Sequence, residues 1–131
     1  MNPHDVIIVV PIYRPELRET ERMSLLQLQR VLGDYPRVFL APASLSFDFG
    51  ALGRGFGVER FEDSYFDGLS GYSCLMLSDE FYARFADYQY VLIYQLDALV
   101  FQDTLRAFCA LGYDYIGAPV GRLDTYWHVL G

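Results

Sequence analysis

At 131 residues, 53% hydrophobic and 21% charged, the chain is long enough for one globular core and short for several domains. All ten cations are Arg, set against 17 Asp and Glu. The net charge of −7 excludes a general nucleic-acid surface or an anionic-membrane surface, since both would repel it. An anionic ligand would need a local Arg or a bound cation.

The N-terminus lacks the basic start of a signal peptide, and the apolar run at 6–12 is too short to span a membrane. No membrane span and a cytoplasmic location are therefore expected. That run reads as a first buried strand, closed by the rigid loop Pro11-Ile12-Tyr13-Arg14-Pro15. Thr20 is placed to cap a helix beginning at Glu21, with Leu25, Leu28 and Leu32 on one face and Gly33 as its stop. Residues 37–41 form a second strand, ended by Pro42. Residues 43–57 show no clear period and suggest a short helix at most, followed by loop. Residues 58–61 read as a third strand with Glu62-Asp63 at its end, and 64–71 as loop. A helix is expected over 72–85, its core stripe formed by Cys74, Leu77, Phe81 and Phe85, with Ser78 able to cap a second piece and kink it. Cys74 and Cys109 are expected to be buried free thiols.

Residues 90–101 hold ten apolar or aromatic side chains in twelve positions, which suits a strand buried on both faces. Gln95 and Asp97 interrupt it, two apart and hence on the same side of an extended backbone. An ionised carboxylate among apolar neighbours requires compensation by a charge or a metal. A further helix should begin at Asp103-Thr104 and end at Gly112, and a last strand should cover 114–118.

This order predicts an α/β fold, a mainly parallel Rossmann-like sheet with helices on both faces, in a single domain over 1–131. Ligands of such sheets bind beyond the carboxyl ends of the strands. Those ends carry Tyr13 and Arg14, Glu62 and Asp63, and Gln95 and Asp97. Asp97 could hold a hard divalent cation with Gln95 as a second oxygen ligand, or it could cap a turn or pair with an Arg. Arg14 could meet a phosphate or remain a solvated loop residue. Asp63 could accept hydrogen bonds from a ribose or base, or belong to an exposed turn. The glycines at 50, 53, 55 and 57 make no phosphate cradle, because no strand directly precedes them and no Lys follows. His4 and His128 make no zinc pattern.

Tyr94-Gln95-Leu96-Asp97-Ala98-Leu99-Val100-Phe101, followed by Gly112-Tyr113-Asp114-Tyr115-Ile116-Gly117-Ala118-Pro119, resembles the domain of unknown function 5672 family, which is similar to glycosyltransferases of the GT-A fold. Pro11 to Pro15 and Gly71 to Phe85 extend the likeness over nearly the whole chain. The resemblance implies that Gln95-Leu96-Asp97 corresponds to the Asp-X-Asp motif that holds Mn²⁺ or Mg²⁺ against a sugar-nucleotide diphosphate, with Gln in place of the first Asp. Asp97 would then be the metal residue. Pro11, Tyr13 and Arg14 would contact the nucleotide, Asp63 would sit near base or ribose, and the partner would be a nucleotide-sugar donor with the acceptor unidentified. Ser73-Cys74 stands where the family tends to carry Asn-Lys. The chain stops at Gly131, twelve residues after Pro119, so a domain incomplete at its C-terminus is expected. The alternative is a non-catalytic remnant or interaction module of the same fold, which would favour self-association. A dinucleotide-binding domain is disfavoured by the lack of a glycine fingerprint after the first strand.

Overall fold

The computed structural model describes residues 3–114. The strand expected over 114–118 and the tail with His128 lie outside the described residues, apart from Asp114. A short 3₁₀ turn, Pro3–Asp5, leads into β1, Val6–Pro11. The chain continues through α1 (Glu19–Leu32), β2 (Arg37–Pro42), β3 (Phe56–Phe61), α2 (Gly68–Met76), α3 (Asp79–Arg84), β4 (Tyr90–Ile93) and α4 (Leu105–Ala110). The four strands form one parallel sheet in the order β3-β2-β1-β4. This is the expected α/β, Rossmann-like architecture.

Every residue of β1 is buried, because alternate side chains enter two separate cores. Val6, Ile8 and Val10 join Leu25, Leu28 and Leu32 of α1 on one face. Ile7 and Val9 meet Leu75 of α2 and Phe81 of α3 on the other. Leu25 and Leu28 are 0% exposed, and burying each contributes about 1.5–3 kcal/mol. Helices therefore cover both faces. Among the described residues no helix is long and apolar enough to cross a membrane.

α1 begins at Glu19, two residues before the expected start, with Arg18 rather than Thr20 at the N-cap. Glu21 makes this start tenable: its Oε1 accepts the Arg18 backbone N–H at 2.8 Å, satisfying a donor that the helix leaves open. The stretch 43–55 contains only one 3₁₀ turn, Gly50–Gly53. Its aromatic residues nonetheless build core. Phe39 of β2 stacks on Phe56 at 4.1 Å and meets Phe47 and Phe49 edge-on at 5.7 and 5.4 Å. β3 consequently starts at Phe56, earlier than the expected 58.

The single helix expected over 72–85 is two. α2 begins at Gly68, inside the expected loop, and stops before Leu77. Ser78 caps α3 as expected, its Oγ accepting the Phe81 N–H at 3.1 Å. This break rotates the stripe. Phe81 and Phe85 are buried, but Leu77 is 84% exposed and Cys74 is exposed, while Leu75 takes the inward position. Cys109 is half-buried, so neither free thiol is fully buried.

The largest correction concerns 90–101. β4 covers only Tyr90–Ile93 and is half-buried, since it is one of the two edge strands among the described residues. The backbone leaves the sheet after Tyr94, whose N–H still donates to the Val9 carbonyl at 2.9 Å. Gln95 and Asp97 thus lie in a turn rather than on one side of a strand. Asp97 is exposed, so no buried charge demands compensation. Its position at the strand end survives the correction.

Candidate functional site

Because all four strands run in parallel, their carboxyl ends share one edge. β1, β2 and β3 step across the sheet in one direction; the chain then crosses to β4 on the other side of β1. Strand order reverses between β1 and β4, and such switch points leave a crevice where ligands bind.

Tyr13 stands at the centre of this edge. Burial pushes its phenol above the ordinary value; a hydrogen bond from the Gln95 side chain opposes the rise, and the nearby Tyr72 and Asp97 add to it. Residues beyond the ends of β1 and β4 and from α2 therefore stand in the electrostatic neighbourhood of Tyr13. On its other side, the Tyr13 ring meets Phe66 edge-on, with centroids 6.0 Å apart. Together they line a cleft of about 420 Å³ with Pro42, Ser44, Asp63 and Asp67.

Asp63 is held in place by the end of β2. Its Oδ1 accepts the Ser44 N–H at 3.1 Å and its Oδ2 accepts the Ser44 hydroxyl. Hydrogen bonds from Ser44 hold the Asp63 carboxyl below its ordinary value. A depressed folded-state pKa adds stability above the unfolded value, and that contribution is lost as pH falls through the folded one. The Ser44 amide resonance should therefore shift with a midpoint below the ordinary aspartate range. A midpoint at or above that range would mean that the latch does not form in solution.

Gly71 supports the same corner from behind. A Cβ on it would lie 2.3 Å from the Ser64 carbonyl oxygen and 3.1 Å from the Tyr65 carbonyl carbon. Ala normally stabilises a helix interior by ~1 kcal/mol over Gly. Here Gly71→Ala must displace the 3₁₀ turn Asp63–Phe66, and a loss of about 1–3 kcal/mol is expected in urea unfolding. A stability gain would show that the turn does not press on α2.

Arg14 is at the edge but engaged. Its Nη2 bonds both Glu21 carboxylate oxygens, at 2.8 and 2.9 Å. A phosphate there would compete with Glu21. Pro11 is buried and, with Tyr13, Arg14 and Leu96, lines a shallow notch beside α1. The sequence candidates thus fall into two groups around Tyr13: Asp63 on the β2–β3 side, and Gln95 and Asp97 on the β4 side. Sequence reasoning missed Ser44, Phe66, Asp67 and Tyr72. Ser44 and Asp67 carried a legible signal, since each is a short polar residue just beyond a strand end or before a glycine-initiated helix. Tyr72, the first residue of the helix expected over 72–85, carried none.

The donor chemistry bears on a metal. Among the described residues no group of three or more His, Cys, Asp or Glu could cage an ion. Mg²⁺ and Mn²⁺ do not need such a cage when they arrive with a phosphate, because one or two carboxylates and substrate oxygens suffice. The exposed Asp97 carboxylate fits that mode.

The four-stranded parallel sheet, its switch point between β1 and β4 and the helices on both faces make this an α/β protein of Rossmann-like architecture. Residues 55–129 match the family described as Protein of unknown function (DUF5672), and the chain belongs to that family. The matched region includes Asp63, Gln95 and Asp97 and begins after Tyr13 and Arg14. No curated protein and no solved structure matches the chain significantly.

Proposed function

We propose that this edge binds a nucleotide-sugar donor, with a divalent cation joining Asp97 to the diphosphate, as in GT-A glycosyltransferases. The observation that carries the reading is the placement of Tyr13, Gln95 and Asp97 just beyond the carboxyl ends of β1 and β4, on the two sides of the switch point. Asp63, Asp67 and Asp97 give this edge negative charge, so a diphosphate approaching it needs a positive partner. Mn²⁺ or Mg²⁺ would supply that charge and neutralise the diphosphate as leaving group.

The protein residues have separable tasks. Asp97 offers a solvent-accessible carboxylate to the cation, and Gln95 orients the Tyr13 phenol. Tyr13 and Phe66 form an apolar wall beside the cleft, suited to a nucleoside. Asp63, locked on Ser44, keeps unused lone pairs that can accept from a base N–H or ribose hydroxyl. Arg14 reaches a phosphate by exchanging Glu21. Transfer to an acceptor is a further step, and the chain is a glycosyltransferase if an acceptor site accompanies this one.

A thermal-shift series tests the binding claim. Ligand at a hundred times its Kd stabilises the folded state by about 2.7 kcal/mol. A uridine or guanosine diphosphate sugar should raise Tm when Mn²⁺ is present and not when EDTA replaces it. An unchanged Tm with every donor in Mn²⁺ would count against the proposal.

A further inference from the structure

We infer that Ser24 and Tyr94 are positioning residues that hold the Asp97 turn in its ligand-ready geometry. This rests on the reading of Asp97 given above and extends it to two side chains remote from any ligand.

Four residues, Gln95 to Ala98, make the turn, closed by the Ala98 N–H donating to the Gln95 carbonyl at 3.0 Å. Leu96 is 6% exposed and anchors the turn inward, while Asp97 at the next position faces solvent. The entry is pinned to β1 by the Tyr94 N–H to Val9 bond. The exit has no sheet to hold it, because the chain has left the ladder. Ser24 and Tyr94 provide the missing hold. Ser24 Oγ donates to the Ala98 carbonyl and lies 3.0 Å from the Tyr94 hydroxyl, and the Val100 N–H donates to that hydroxyl at 3.2 Å.

Ser24 is 1% exposed, set beside Leu25 and Leu28 on the buried side of α1. A hydroxyl in an apolar helix face costs stability unless it is bonded, so its placement needs a purpose beyond packing. The protons also balance. Ser24 has one, committed to Ala98; the Tyr94 proton then serves the Ser24–Tyr94 contact, leaving the tyrosine oxygen to accept from Val100. Each hydroxyl is satisfied, and α1 is tied through them to Ala98 and Val100, on the exit side of Asp97. A carboxylate fixed before binding loses less conformational freedom on meeting its cation.

Tyr94→Phe and Ser24→Ala remove one hydroxyl each with little change of volume. Amide exchange is read at Ala98 and Val100, with Ile8, whose N–H bonds the Pro36 carbonyl in the core, as the reference. Both variants should speed exchange at Ala98 or Val100 by about three- to tenfold, the value of one hydrogen bond, with Ile8 unchanged. Donor affinity in Mn²⁺ should fall by a similar factor. Equal acceleration at all three amides, or none, would overturn the inference, as would unchanged donor affinity in a variant whose turn has loosened. If the wild-type protein binds no donor, the nucleotide-sugar reading fails, while the exchange pattern still decides whether these hydroxyls hold the turn.

Discussion

Phe39→Ala is expected to lower the unfolding free energy by about 3–5 kcal/mol, the range for truncating a buried aromatic side chain. Phe39 is 3% exposed and three phenylalanine rings surround it: Phe56 stacked, and Phe47 and Phe49 edge-on. Its removal leaves a void and ends three ring contacts, each worth about 0.5–1.5 kcal/mol beyond area burial. The rings belong to β2, β3 and the segment between them, so no single element can shift to fill the space. Urea unfolding should show a lower midpoint with an unchanged slope. Phe101→Ala is the control: at 78% exposure it should change stability by no more than about 0.5 kcal/mol. A Phe39→Ala loss below about 1 kcal/mol would mean that the 43–55 segment does not pack on β2 as described.

The second large effect is on binding. Asp97→Asn should weaken Mn²⁺-dependent donor binding at least about tenfold, equivalent to ~1.4 kcal/mol. The amide keeps an oxygen ligand and loses the charge, and charge is what a hard cation chiefly requires of its single protein carboxylate. Stability should stay within about 0.5 kcal/mol, since Asp97 is exposed in its turn. This separation of binding from stability distinguishes a ligand from a structural cap. Full binding by Asp97→Asn would relocate the cation or remove it from the account.

Much of the fold was legible because it depends on periodicity. β1 announces itself as an apolar run buried on two faces, α1 as leucines at helical spacing, and Ser78 as a cap that breaks a helix. Elements without a period were not legible. Phe47, Phe49 and Phe56 gain meaning only from Phe39, a partner on another strand. The apolar run over 90–101 misled because hydrophobicity there serves different ends. Tyr90 to Ile93 pair in the sheet, Leu96 anchors a turn, and Leu99 and Phe101 are exposed. The sequence singles out Asp97 on two grounds, a supposed burial that the turn removes and a place at the carboxyl end of a parallel strand that the fold retains. The Ser24–Tyr94 contact spans seventy residues of sequence and leaves no local mark.

The central claim is that Asp97 and a divalent cation bind a nucleotide-sugar diphosphate at the switch-point edge. Isothermal calorimetry of the wild-type chain with uridine and guanosine diphosphate sugars, in Mn²⁺ and in EDTA, tests it most directly. The account predicts saturable heat with at least one donor in Mn²⁺, lost in EDTA and in Asp97→Asn. An absence of heat with every donor at millimolar concentration, or equal heat with and without the cation, would contradict it.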